Sequence, residues 1–363
     1  MKINKKLIQN FLTIRYDPEN QLANLAKWQD FTTKNSDLDG KKTEILLKKS
    51  VKYSIPDDEE PLAISLSSGI DSSLCLALLR DVFPNRKITA ICGVFENGND
   101  ESKIAKKIAE KFSADFKTVY MDSIFTNMPE IISISKKPRW NTYNHLISKE
   151  AKKHSNYLVT GDGADELFGG YTFRYQKFKQ LSKSNDNWVT KVKKYLECHN
   201  RDWVIDQNLL FGTNIQFNWE TIYNYFKPYF QNKLEPIVQV MLADFNGKLS
   251  LDFIPTGKAI FNHYKIHGIP IFLNSNLIPF AQKLPLNQKY NETNFKGKLI
   301  TLKNEYEGIN DIYDGVEGFL CLFIPHAILS GDTIILKKPI CRKFLNNLKN
   351  VKKYYESKLN KKF

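Results

Sequence analysis

Between residues 61 and 160 the chain alternates short apolar runs with stretches whose apolar positions recur every three or four residues. Leu62–Leu66, Ile88–Phe95, Phe116–Met121 and Tyr157–Thr160 are apolar, partly β-branched and four to eight residues long, which predicts strands. The intervening segments carry helical spacing. Asp71–Val82 presents Leu74 and Leu78, and Asp100–Phe112 presents Ile104, Ile108 and Phe112 on one face, with Asp100 placed to cap it. Ile124–Ile134 and Thr142–His154 complete the helices, and Lys41–Lys52 precedes the first strand, stopped by Pro56 and the acidic turn Asp57–Glu60. Strand–helix alternation of this length predicts an α/β fold, a parallel sheet with helices on both faces.

After Tyr171 the pattern predicts no further strand. Tyr175–Tyr195, Trp219–Phe230 and Leu234–Phe245 are aromatic- and lysine-rich and read as helical, so the second half is expected to be mainly helical and to lie over the sheet's ligand edge. The aromatics of Trp219–Phe230 are expected in the core. The expected division is an N-terminal extension (1–41) packed on the main domain, the main domain itself (42–330) and a basic helical tail (331–363).

Composition narrows the class. At 363 residues, 42% hydrophobic and 25% charged, the chain fits an ordinary water-soluble domain. It has no apolar run of membrane-spanning length and no signal peptide at Met1–Leu7, so a cytoplasmic protein with no membrane partner is expected. Five scattered cysteines without a CxxC pair disfavour a disulfide framework and a zinc site. The net charge of +14, with eight Lys or Arg and one Glu in Arg342–Phe363, fits polyanion partners such as ATP or RNA, and equally a solvated lysine-rich surface. Leu345, Leu348, Val351 and Leu359 give that tail an apolar stripe, which favours a docked helix. His263 and His267 stand four apart, a spacing that on one helix face suits a metal, but no third ligand accompanies them.

Two loops carry the candidate chemistry. Leu66-Ser67-Ser68-Gly69-Ile70-Asp71-Ser72-Ser73 joins a predicted strand to a helix N-terminus, where unpaired N–H groups and the helix dipole favour anions. Its serines add hydroxyl donors and Asp71 is placed to hold a metal that bridges phosphates. On its own the loop fits either a phosphate cradle or an ordinarily capped turn, and it is not a Walker loop, because no Gly-Lys-Ser/Thr follows. The second loop, Thr160-Gly161-Asp162-Gly163-Ala164-Asp165-Glu166-Leu167-Phe168-Gly169-Gly170-Tyr171, packs three carboxylates and four glycines beyond another strand. Glycines admit a ligand close to the backbone, and carboxylates at the carboxyl end of a parallel strand suit a hard cation.

Together these loops resemble the synthetase domain of the asparagine synthetase family, ATP pyrophosphatases of the N type with an adenine nucleotide α-hydrolase-like fold. The resemblance spans roughly residues 42–320 and continues weakly through Gly257-Lys258-Ala259, Gly268-Ile269-Pro270 and Phe280–Pro285. It implies a ligase using ATP and Mg2+, which adenylates a small-molecule carboxylate with release of pyrophosphate and then transfers ammonia or an amine, leaving AMP. By resemblance, Ser67, Ser68, Gly69, Ser72 and Ser73 hold the phosphates. Leu66, Cys92, Gly93 and Gly161 contact the nucleotide, and Asp71 and Asp165 bind the metal. Asp162 stands where relatives carry a glutamate facing the reacting groups, and Lys258 matches a phosphate-contacting base.

The chain departs from the family in places. Ser68 replaces a glycine, which a negative φ accommodates. Ile271-Phe272-Leu273-Asn274 stands for Pro-Phe-Leu-Asp, and Val316 stands where a late lysine approaches the phosphates, a role open to Lys303, Lys337 or Lys338. The short lead-in, beginning Met1-Lys2-Ile3, has no room for the family's glutaminase domain, so free ammonia, an amine or a separate glutaminase subunit is the expected nitrogen source. Two alternatives remain open: an RNA-modifying ATP pyrophosphatase similar to lysidine synthetase, and a nucleotide-binding protein without turnover.

Overall fold

The computed structural model describes residues 5–19, 25–95, 100–121, 124–137, 143–199 and 218–290. Strands β1 (Leu62–Ser65), β2 (Ile88–Phe95), β3 (Asp115–Met121), β4 (Tyr157–Thr160) and β5 (His267–Pro270) form one sheet in the order β3-β2-β1-β4-β5. Every neighbouring pair is parallel, with Leu62 beside both Ile88 and Tyr157 in register. The side-chain alternation of β1 sorts the core. Leu62 and Ile64 point into a large cluster with Cys75, Leu76, Leu79 and Ala109 from the helices Ile70–Val82 and Ser102–Lys111. Ala63 points the other way, joining Ile91, Leu158, Ile147 and Ala151 beneath the helix Tyr143–Ala151. The sheet is thus covered on both faces, as expected for parallel strands.

The four strands of the first half lie where the apolar runs place them. The fifth is a correction to the expectation of no strand beyond Tyr171. His267-Gly268-Ile269-Pro270 holds one buried apolar residue, Ile269, and begins and ends on residues that rarely mark a strand. Its pairing with β4 at the sheet edge creates it, and an edge tolerates proline. The same strand removes the two-histidine helix face. The helix Ile254–Tyr264 ends at Lys265 in the left-handed conformation, so His263 is helical and His267 opens β5, stacked on Tyr157. A smaller correction concerns the helix Ser102–Lys111. Its N-cap position is Glu101, while Asp100 accepts from the Ser102 N–H at 2.9 Å.

Among the described residues beyond β4, helices Ala164–Phe168, Thr172–Leu181, Trp188–Cys198 and Trp219–Phe230 lead to a rod spanning Pro236–Tyr264, and β5 is followed by the 3-10 turn Ile271–Leu273 and two short helices. Phe226 and Phe230 are buried there as expected. The N-terminal segment packs on this body. Ile14, Tyr16 and Phe31 enter the large core, and Asn246 exchanges hydrogen bonds with the Ala26 N–H and C=O, both at 2.8 Å. Cys75, Cys92 and Cys198 are buried free thiols. Among the described residues no helix is long and apolar enough to cross a membrane. Lys303, Val316, Lys337, Lys338, Cys321, Cys341 and the basic tail lie outside the described residues.

Candidate functional site

In the order β3-β2-β1-β4-β5 the chain leaves β1 toward β2 and later returns to place β4 on β1's other side. Connections therefore diverge between β1 and β4, opening a crevice at their carboxyl ends, the usual ligand position in open parallel sheets. Both singled-out loops emerge there. They also touch: a Cβ on Gly161 would meet the Asp71 Cβ at 3.4 Å and the Ser72 amide nitrogen at 3.5 Å. A Cβ at position 161 would make ordinary van der Waals contact there, so the second loop lies within one methyl group of the first turn of the helix Ile70–Val82.

The first loop is held by its own hydroxyls. The Ser67 N–H donates to Ser72 Oγ at 3.0 Å, the Gly69 N–H to Ser67 Oγ at 3.1 Å, and Ser73 Oγ to the Gly69 carbonyl at 2.7 Å. Ser73 N–H makes the helix's first backward bond, to the Gly69 carbonyl at 3.2 Å, so the amides ahead of it face out of the helix end. Ser68 does not have a positive φ, and its substitution is put to use. Its N–H and its hydroxyl both donate to Glu101 Oε2, at 2.9 and 2.7 Å.

The second loop turns sharply through the short helix Ala164–Phe168, whose carboxylates have distinct environments. Thr160 Oγ1 donates to Asp162 Oδ2 at 2.8 Å, and the buried Glu166 accepts from the Tyr171 hydroxyl at 2.6 Å. Gly170 folds back on Asp165, donating to its carbonyl at 3.0 Å; a Cβ there would lie 1.8 Å from Asp165 Oδ1 and 3.1 Å from its Cα. Overpacking of this kind costs about 1–3 kcal/mol. Gly170→Ala is therefore expected to weaken magnesium-ATP binding roughly tenfold through displacement of Asp165, with the fold retained by circular dichroism.

A cavity of about 400 Å³ opens between the loops. Of the residues singled out from sequence, Leu66, Ser67, Gly69, Asp71, Ser72, Cys92, Gly93, Gly161, Asp162 and Asp165 line it. Ser68 and Ser73 do not, their hydroxyls being engaged as above. Lys258 does not either: it stands exposed on the helix Ile254–Tyr264. The lysine that does line the cavity, Lys248, is one that sequence reasoning missed. That side chain lines the cavity and donates to the Tyr171 hydroxyl at 2.5 Å, extending the Glu166–Tyr171 bond into a three-membered chain. Glu166 was visible as the third carboxylate of its loop, but nothing in the sequence spacing tied Lys248 to it.

The electrostatics of the cavity favour a cation. Burial, then the neighbouring Asp165 charge, raises the Asp71 carboxyl to about 6. Burial raises Asp162 and Asp165 as well, opposed at Asp162 by the Thr160 hydrogen bond and then Lys248, and at Asp165 chiefly by Lys248. Burial also lifts Glu166 to about 7 and draws Lys248 down to about 8, the latter helped by Arg174. Asp71 and Asp165 thus line one cavity, the charge of Asp165 acting on Asp71 at an electrostatic cost that a divalent cation would relieve, and carboxylate oxygens are the donors magnesium prefers.

Fold and site define an α/β protein of the switch-point kind, with a serine-rich loop at a helix N-terminus and carboxylates in the loops beyond two adjacent central strands. Residues 42–301 match the asparagine synthase family model, and the chain belongs to that family. It is similar to asparagine synthetase [glutamine-hydrolyzing] 1 of Bacillus subtilis, 31% identical over 116 residues, covering 31% of this chain and 18% of the relative. A putative asparagine synthetase [glutamine-hydrolyzing] of Mycobacterium bovis is 37% identical over 141 residues, 36% of this chain and 22% of the relative. For putative asparagine synthetase [glutamine-hydrolyzing] 2 of Methanocaldococcus jannaschii the figures are 26% over 163 residues, 44% and 30%. The chain thus matches less than a third of the length of each of these relatives.

Proposed function

We propose that this chain is an ATP-dependent ligase that adenylates a carboxylate and converts it to an amide. The observation that carries the reading is the meeting of the two loops at Gly161, which sets the phosphate-binding loop and Asp71 against Asp162 and Asp165 in one cavity. Membership of the asparagine synthase family supports ATP as the nucleotide.

In this reading the outward amides at the start of the helix Ile70–Val82 receive the phosphates. Leu66, Cys92 and Gly93 form the nucleoside wall at the ends of β1 and β2. Asp71 and Asp165 would hold magnesium, which would supply charge compensation for the triphosphate. The substrate carboxylate attacks the α-phosphorus, forming an O–P bond as the bond to pyrophosphate breaks. Ammonia or an amine then adds to the acyl carbon, AMP departs, and Asp162 takes the nitrogen's proton. Protein groups act by alignment and electrostatics throughout. Aspartate is the first carboxylate to test, by the relatives' names.

Incubation with magnesium-ATP, ammonium and a panel of carboxylates is expected to yield equal amounts of AMP and pyrophosphate, dependent on one carboxylate. Formation of ADP and phosphate instead, or no product with any carboxylate, overturns the proposal. Neither alternative function gains a structural observation, because the basic tail and Val316 lie outside the described residues.

A further inference from the structure

The rod Pro236–Tyr264 is α-helical to Asp244, π-helical from Phe245 to Phe253 and α-helical again from Ile254. A π stretch closes i→i+5 bonds, so it rotates the side chains that follow it away from the positions of an unbroken α-helix. Here it presents Lys248 to the cavity while Lys258, farther along the rod, is exposed. Among the described residues lining the cavity, Lys248 is the one lysine, and none is arginine or histidine.

Its surroundings are arranged for a charge. The ammonium lies 3.8 Å from the centroid of the Tyr171 ring and 4.9 Å from that of Phe253. Asp162, Asp165, Glu166 and Asp244 act on it or are acted on by it electrostatically, with Arg174 as the opposing cation. A lysine ammonium has three donors. Among the described residues Lys248 directs one of them to a protein acceptor, the Tyr171 hydroxyl, and it reaches Glu166 through that hydroxyl. A lysine present merely to neutralise Glu166 would bond the carboxylate directly. This one is tethered beside it, with donors left over and a cavity in front.

We propose that Lys248 is a catalytic residue of the adenylation step, donating to an anion bound in the cavity that it lines together with Asp162 and Asp165. That anion is the substrate carboxylate together with the α-phosphate oxygens it attacks. The inference rests on the ligase reading. As the carboxylate oxygen bonds to phosphorus and the pyrophosphate oxygen takes the electron pair of the breaking bond, negative charge accumulates on the phosphoryl oxygens. A preorganised ammonium stabilises that charge at no cost in reorganisation. The role expected of Lys258 from sequence then falls to a residue ten positions earlier on the same rod.

The test uses the full chain with Lys248→Met, Lys248→Gln and Lys258→Ala, measuring pyrophosphate release, magnesium-ATP affinity by calorimetry and the thermal midpoint. Lys248→Met is expected to lower kcat about a hundredfold, with KM for the carboxylate and nucleotide affinity changed by only a few fold. Lys258→Ala is expected to stay within about threefold of wild type, as an exposed side chain outside the cavity would. If Lys248→Met fails to fold, Lys248→Gln decides, since its amide keeps a donor for Tyr171 but carries no charge; a kcat loss of roughly tenfold or more at an unchanged midpoint supports the role. Wild-type kcat in folded Lys248→Gln or Lys248→Met overturns it. So does a loss confined to KM and thermal midpoint, the signature of a lysine that only props Tyr171. A large loss in Lys258→Ala with none at Lys248 returns the role to Lys258. Wild type without pyrophosphate release with any carboxylate brings down the ligase reading itself; wild-type turnover alongside unaffected Lys248 variants brings down this assignment alone.

Discussion

Asp71→Ala and Asp165→Ala are each expected to abolish magnesium-dependent ATP binding, weakening it by about a hundredfold or more relative to wild type. The two carboxylates lie in the loops that follow β1 and β4 and line one cavity, and the Asp165 charge adds to burial in raising the proton affinity of Asp71. A shared divalent cation converts that repulsion into attraction and brings the phosphates with it. Removing either ligand leaves the other facing a triphosphate without compensation, and for charges a few ångströms apart that outweighs the remaining backbone donors. Calorimetry with ATP in the presence of magnesium, repeated with a chelator, checks the result. Unchanged affinity in both variants would place the nucleotide elsewhere.

Asp244→Ala is expected to destabilise the fold by about 3–5 kcal/mol, the cost of removing a buried carboxylate and stranding the groups arranged around it. Asp244 is fully buried at the end of the rod's first α-helical part, accepts from the Tyr195 hydroxyl at 2.8 Å, and lies 3.1 Å from His199 Nε2. Burial alone would raise its carboxyl, but His199, Arg174 and Lys248 together hold it below the ordinary aspartate value. With the folded value depressed, the contribution is present in full above the unfolded aspartate pKa, about 4, and is lost as pH falls through the folded value. Urea unfolding at neutral pH measures the loss, with Asp244→Asn expected between the two, since its amide keeps the Tyr195 bond without the charge. A change under about 1 kcal/mol for Asp244→Ala would show that the carboxylate contributes little.

Much of the sheet was legible because its strands are defined by their own residues. Leu62–Ser65 and Tyr157–Thr160 are buried on both faces, so each reads as an apolar run without reference to a partner. β5 is defined by its neighbour, and its glycine and proline hid it. The two loops stood out because together they combine serines, glycines and carboxylates that ordinary turns seldom combine, and the structure brings them to one cavity. Lys248 was not, because its relation to Glu166 depends on a π-helical stretch and on a tyrosine between them, neither of which leaves a periodic trace. Lys258 shows the converse: its local pattern matched a family position, yet the rod's geometry leaves it in solvent. Glu101 was passed over for the same reason as Lys248, since its partner Ser68 is distant in sequence and close only once β1 and β2 are paired.

The placement of β5 also bears on how the chain is made. β4 lies between β1 and β5, so until His267–Pro270 has been synthesised and has docked, the outer edge of Tyr157–Thr160 has no strand to pair with. The helical half occupies the interval. At roughly 5–20 residues per second, the stretch of about a hundred residues separating the two strands takes some 5–20 s to emerge from a ribosome. Through that time Leu158 and Val159 sit on an open edge, a template for pairing with other nascent chains. The nascent chain is thus most exposed to misassembly after its first strands have formed and before its last one arrives, a window that chaperones or slow translation of the helical half would govern.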